Sequence, residues 1–171
     1  MGNIPKPNPK ITFTRASRPG DRAEHCLLIA EANQEAILLL TKGMVNAGVI
    51  ERIYIANHRF EVIQYIIGEG RFLDRSRYPV PTICLIDLQI GGQDGFSLIW
   101  WLRRRSELKR NLIFGISDRL NGSHVRRAMQ LGASGCLSLP NSVEDFTRFL
   151  SVITTVDLKT ISRSPWFRKD Q

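Results

Sequence analysis

From residue 26 onward, short continuous apolar runs alternate with longer stretches in which apolar residues recur every three or four positions. Runs of the first kind suit strands buried on both faces, and stretches of the second suit amphipathic helices. Cys26-Leu27-Leu28-Ile29-Ala30 predicts a first strand, and Asn33-Gln34-Glu35 then leads into a helix from Ala36 to Val45, closed by Asn46-Ala47-Gly48. Arg52 to Ala56 predicts a second strand. Arg59 to Ile67 predicts a second helix, with Phe60, Ile63, Ile66 and Ile67 on one apolar face and Gly68-Glu69-Gly70 ending it. The connection from Gly68 to Pro81 is long for a compact strand-helix unit and carries Arg71, Arg75, Arg77, Tyr78 and Pro79, so an ordered insertion is expected.

Thr82 to Asp87 predicts the third strand, an apolar run that ends on a carboxylate and runs into the turn Gly91-Gly92-Gln93-Asp94-Gly95. Its helix is expected from Asp94 to about Leu108, with Phe96, Ile99, Trp101 and Leu102 facing the sheet and Arg103, Arg104 and Arg105 outside. Leu112 to Ser117 gives a fourth strand, Ser123 to Leu131 a fourth helix, and Gly135 to Leu139 a fifth strand. A last helix is expected from Ser142 or Val143 to about Thr155. Five such units predict an α/β fold, a doubly wound five-stranded parallel sheet with helices on both faces.

Composition adds bounds. With 171 residues, 43% apolar and 23% charged, the chain can form one domain with a substantial core. That domain is placed at residues 24–158, between a basic, proline-rich arm at 1–23 and a tail at 159–171. No run is long enough to span a membrane and no secretory signal opens the sequence, so a cytoplasmic protein without membrane contact is expected. Cys26, Cys84 and Cys136 sit in strand-like runs, which favours buried reduced thiols over a disulfide or zinc site. The formal charge of +8 lies largely in the two ends. Solvated tails are the reading adopted, and nucleic acid is not expected as a partner. The alternative, a nucleic-acid-binding module using the tails, requires a steep salt-dependent loss of affinity that weakens on deleting residues 1–23.

Leu27 to Glu31, Asp87, Asp94-Gly95-Phe96, Ser117, and Leu131-Gly132-Ala133-Ser134-Gly135-Cys136-Leu137 with Pro140 resemble the receiver domain of two-component response regulators, over roughly residues 25 to 157. The loop from Gly68 to Pro81, with Phe96 and Trp101-Leu102-Arg103, is similar to the stand-alone type typified by cyanobacterial phytochrome response regulators. The resemblance implies a flavodoxin-like strand order 2-1-3-4-5, an order that receivers exemplify. It also implies Asp87 as phosphoacceptor, Ser117 as switch hydroxyl, and a magnesium site from Glu31, Asp87 and Gln89. A sensor histidine kinase or other signalling protein is the implied partner, and the fourth helix, fifth strand and fifth helix are the implied homodimer surface.

Four departures cut against phosphorylation. The second acidic position after the first strand is Ala32, the lysine before proline is Leu139, the small residue after the switch hydroxyl is Asp118, and the aromatic switch position is Cys136. Leucine cannot compensate charge at Asp87, and a site short of one carboxylate should bind magnesium weakly. No cofactor is therefore assigned, and the chain is not expected to be an enzyme. Asp87 reads either as a relic carboxylate crowded by Glu31, or as an acceptor served by Glu31 and Asp118 as unusual partners. His25, His58 and His124 lack ligand-like spacing and read as solvated side chains. Trp100 points away from the apolar face of its helix beside three arginines, and with Arg126 and Arg127 it forms the candidate partner contact.

Overall fold

Strands and helices alternate along the chain as β1 (Cys26–Ala30), α1 (Gln34–Ala47), β2 (Arg52–Ala56), α2 (Arg59–Ile67), β3 (Ile83–Asp87), α3 (Gly95–Arg103), β4 (Leu112–Ser117), α4 (Gly122–Gln130) and β5 (Gly135–Ser138). The structure, a computed structural model, describes residues 25–47, 52–139 and 142–147. Residues 143–147 are helical; the rest of the expected fifth helix, the arm and the tail lie outside the described residues.

All strand pairings are parallel, in the order β2-β1-β3-β4-β5. Right-handed crossovers then place helices on both faces, so every residue of β1 is buried. Its side chains alternate. Leu28 and Ala30 join the apolar cluster beneath α2, α3 and α4, with Val62, Ile86, Leu98, Ile99 and Leu102. Leu27 and Ile29 join the opposite cluster with Leu40 and Met44 of α1, Phe114 and Phe146. A Cβ on Gly43 would lie 2.6 Å from Phe146 Cδ1, and Thr147 Oγ1 donates to the Gly43 carbonyl at 3.1 Å, so the 143–147 turn packs tightly on α1. The three cysteines are buried and free, and burial pushes the thiol of Cys84 up to about 12 and those of Cys26 and Cys136 up to about 11.

Four sequence expectations are corrected. On α2 the buried residues are Val62, Tyr65 and Ile66, whereas Phe60 is 63% exposed. The inner face is selected by Tyr65, whose ring packs against Tyr54, Phe72 and Tyr78 and whose hydroxyl donates to the Pro79 carbonyl at 2.7 Å. All but Tyr54, which stands on β2, come from the 68–81 connection, which is ordered as expected: Gly68 closes α2 in the left-handed region at φ 72°, and Arg75 donates to the Tyr65 and Ile66 carbonyls of the last turn. The third helix ends at Arg103 rather than near Leu108, where Ser106–Leu108 forms a separate 3-10 turn. Arg103 itself is half-buried rather than outside. His124 is half-buried too, against Phe96, and its Nδ1 is buried without a hydrogen-bond partner.

Candidate functional site at the carboxyl edge of the sheet

Register brings the resemblance-derived residues to one edge. Ala30 pairs with Ile86 and Asp87 with Ile116, so Glu31 and Asp87 leave adjacent strands at the same level and Ser117 follows one residue further along β4. Ser117 pairs with Ser138, which puts Leu139 beside Asp118 one step further out. The α3 start is pinned beneath them: Gly95 N–H donates to the Leu88 carbonyl at 3.0 Å, and Asp94 caps the helix by accepting from Phe96 N–H at 3.1 Å.

Glu31 is only 3% exposed, and its Oε1 accepts from the backbone N–H groups of Ala32 at 2.9 Å and Asn33 at 2.8 Å. Asp87 is half-buried, with Oδ1 accepting from Gln89 N–H at 3.0 Å. Ser117 is buried, and its Oγ accepts from Arg119 N–H at 3.2 Å. The Gln89 side chain is exposed, so Gln89 enters the site through its backbone. Leu139 is half-buried against the cluster that contains Leu27, Ile29, Ile116 and Phe146, occupied with apolar packing where the resemblance implies an ammonium.

Electrostatics follow from that inventory. Burial holds the Glu31 carboxyl above its usual range, and the charges of Asp87 and Asp118 push it the same way. Burial likewise raises Asp87, with Asp118 adding to it. Asp118 is itself exposed and ion-paired at 3.8 Å with the still more exposed Arg119, a pair worth little in solvent. Magnesium wants about six hard oxygens in near-octahedral array. The residues present fit that poorly, because Glu31 spends one oxygen on backbone donors and Ala32 offers a methyl group. Among the described residues no three His, Cys, Asp or Glu side chains gather to hold a metal ion.

A raised carboxylate costs stability when ionised, so the sign of its substitution is fixed. Asp87→Asn is expected to stabilise the fold at pH 7 by about 1 kcal/mol or less, since Asp87 is half-exposed, raising Tm by about 2–4 °C at most. The gain should shrink as pH falls through the folded-state pKa of Asp87 and vanish below the unfolded value, where both states bind the proton. Melting curves of both proteins between pH 7 and pH 4 check it.

The other candidates lie on the neighbouring helices. Trp100 is 42% exposed on α3, with the Arg104 guanidinium 3.9 Å from its ring centroid. Arg126 and Arg127 are exposed on α4, and Arg127 reaches α3: its Nη2 lies 3.5 Å from Asp94 Oδ2, and its guanidinium sits 4.3 Å from the Phe96 ring centroid. Sequence reasoning missed this bridge and the inward turn of Arg103, which donates to the Gly132 carbonyl and to Ser134 Oγ; the run Arg103-Arg104-Arg105 gave no sign that one of the three turns inward.

This strand order, with an aspartate ending β3 and a hydroxyl ending β4, is the receiver fold of response regulators. Among solved structures it is similar to a response regulator in red light signalling of R. palustris (24% identity, 75% of this chain and 90% of that one, TM-score 0.68). It is likewise similar to the phosphorylated cyanobacterial phytochrome response regulator RcpA (18%, 77% and 91%, 0.66) and the Mn(2+)-bound response regulator Rcp1 (17%, 80% and 96%, 0.65). No protein-family model and no curated protein matches the chain. No helix among the described residues is long and apolar enough to cross a membrane.

Proposed function

We propose that this chain is a two-component response regulator of stand-alone receiver type whose phosphorylation chemistry is degenerate, and that it signals through protein-protein contact rather than as an enzyme. The observation that carries the reading is Leu139, packed into an apolar cluster where the acceptor's cation should stand. Among the described residues the charged neighbours that act on Asp87 and Glu31 are carboxylates, which would repel an arriving phosphoryl group. Sensor kinases or other signalling proteins are the partner class, with phytochrome-type sensors suggested by the neighbours' red-light and phytochrome roles. The cytoplasm is the compartment this implies. A homodimer through α4, β5 and the following helix belongs to the same reading, although most of that helix lies outside the described residues.

The test is modification of Asp87. With magnesium and a saturating small-molecule phosphodonor, the wild-type chain is expected to remain unmodified. A conventional phosphoacceptor is the second reading, favoured by one observation: Asp118 lies within electrostatic reach of both Glu31 and Asp87 and could replace the missing acid. An adduct at Asp87 that disappears on Asp118→Ala would select it.

A further inference from the structure

We propose that the outer surface shared by α3 and α4 binds an acidic, apolar-anchored segment of a partner protein, with Trp100 and Arg104 at its centre. The proposal supplies a partner chemistry for the contact function above and rests on that reading. Its residues are distinct from the carboxyl-edge site.

Charge complementarity is the first ground. The sequences of α3 and α4 contain no Asp or Glu; α4 carries the exposed Arg126 and Arg127 and the exposed Arg104 caps α3, whereas Arg103 turns inward. Asp94, the acid at the start of α3, is engaged as an N-cap and by Arg127. A surface so biased lowers the free energy of an opposing acidic segment and repels a basic one.

Geometry is the second. On α3 the buried positions are Gly95, Phe96, Leu98, Ile99 and Leu102, so Trp100 and Arg104, four residues apart, share the outward stripe. A tryptophan 42% exposed leaves a large apolar surface in water without need of the core, since Ile99 and Leu102 already fill the space beneath. The Arg104 guanidinium over its ring and the Arg127 guanidinium over Phe96 are held by cation-π contact. Both can still offer N–H groups to carboxylates, and being held they lose less side-chain freedom on binding. Tryptophan and arginine together are the side chains on which contact energy concentrates. A protein segment is favoured over single-stranded nucleic acid because Arg104 already covers a face of Trp100 on which a base would stack.

The experiment uses the full chain and labelled peptides of one length: an amphipathic helical peptide with Leu and Phe on one face and Glu on the other, its Lys-for-Glu counterpart, and its Ser-for-Leu/Phe counterpart. A mixed-sequence single-stranded oligonucleotide is the fourth probe. Fluorescence anisotropy is expected to show the acidic amphipathic peptide binding at least about tenfold more tightly than the other three, with Trp100→Ala and Arg104→Glu each weakening it about tenfold or more. Both substitutions are on exposed side chains, and an unchanged melting curve confirms that each variant folds. Absence of binding at about 1 mM peptide, binding indifferent to both substitutions, or tighter binding of the oligonucleotide overturns the proposal. None of these results alters whether Asp87 accepts phosphate, so failure here is separable from failure of the degenerate-receiver reading.

Discussion

Gly95→Ala is expected to destabilise the protein by about 3 kcal/mol or more, lowering Tm by roughly 6–12 °C, although alanine is the better helix former by about 1 kcal/mol. A Cβ on Gly95 would lie 2.1 Å from the Asp87 carbonyl oxygen and 2.9 Å from the Leu88 backbone carbon. These are backbone atoms of the strand end that carries Asp87, and they cannot rotate away as a side chain could. Relief requires α3 to lift off β3, breaking the bond from Gly95 N–H to the Leu88 carbonyl and displacing Asp87. Gly122→Ala is the control. It too opens a helix, but its Cβ would meet nothing closer than Arg126 Nη1 at 3.5 Å, so the change should be neutral or stabilising by a few tenths of a kcal/mol. Thermal melts of the two variants separate steric contact from helix propensity.

Arg103→Ala is expected to cost about 3 kcal/mol, again roughly 6–12 °C in Tm. The guanidinium donates to the Gly132 carbonyl at 2.7 Å through Nε, to the Leu108, Lys109 and Asn111 carbonyls at 3.0, 3.2 and 3.1 Å through Nη1, and to Ser134 Oγ at 3.1 Å through Nη2. It thereby ties the end of α3, the turn before β4 and the connection between α4 and β5. Among the described residues no carboxylate shares the work, and burial lowers its pKa, so the side chain serves as a planar multiple donor rather than an ion-pair partner. Arg103→Lys should recover less than half of the loss, because one ammonium cannot reach acceptors on both sides. The adjacent Arg104→Ala should cost less than about 1 kcal/mol, since its described contact is an exposed cation-π pair.

These two positions mark where the sequence was legible and where it was not. The strands announced themselves because parallel strands are buried on both faces and read as unbroken apolar runs, as in Cys26–Ala30 and Ile83–Asp87. Asp87 was legible for the same reason, as the carboxylate that ends its run, whereas Glu31, Ser117 and Leu139 were singled out only by the receiver resemblance, and strand register brings them to the same edge. The inner face of α2 was not. Phe60 and Ile67 fit a helical stripe as well as Val62 and Tyr65 do, and the choice was made by Phe72, Tyr78 and Pro79 in the connection that follows. Arg103 was opaque because its acceptors are backbone carbonyls brought together only by the tertiary fold, and a run of three arginines carries the same pattern whether or not one of them turns inward. Trp100, by contrast, stood out as an apolar residue on the polar side of its helix, and there the structure keeps it.

An ammonium about 4 Å from a carboxylate contributes about 4 kcal/mol at an effective dielectric constant near 20, enough to decide whether a phosphorylated aspartate persists. Leu139 contributes nothing of the kind, and Ala32 removes one ligand from the cation that would share the load. The measurement that tests this most directly is intact mass and peptide mapping after treatment with magnesium and a saturating small-molecule phosphodonor, run on the wild type, on Asp87→Asn, and on the repaired variant Ala32→Asp/Asp118→Ala/Leu139→Lys. The account predicts no adduct on the wild type or on Asp87→Asn, and an adduct at Asp87 on the repaired variant. A substantial adduct at Asp87 of the wild type, absent from Asp87→Asn, would contradict it.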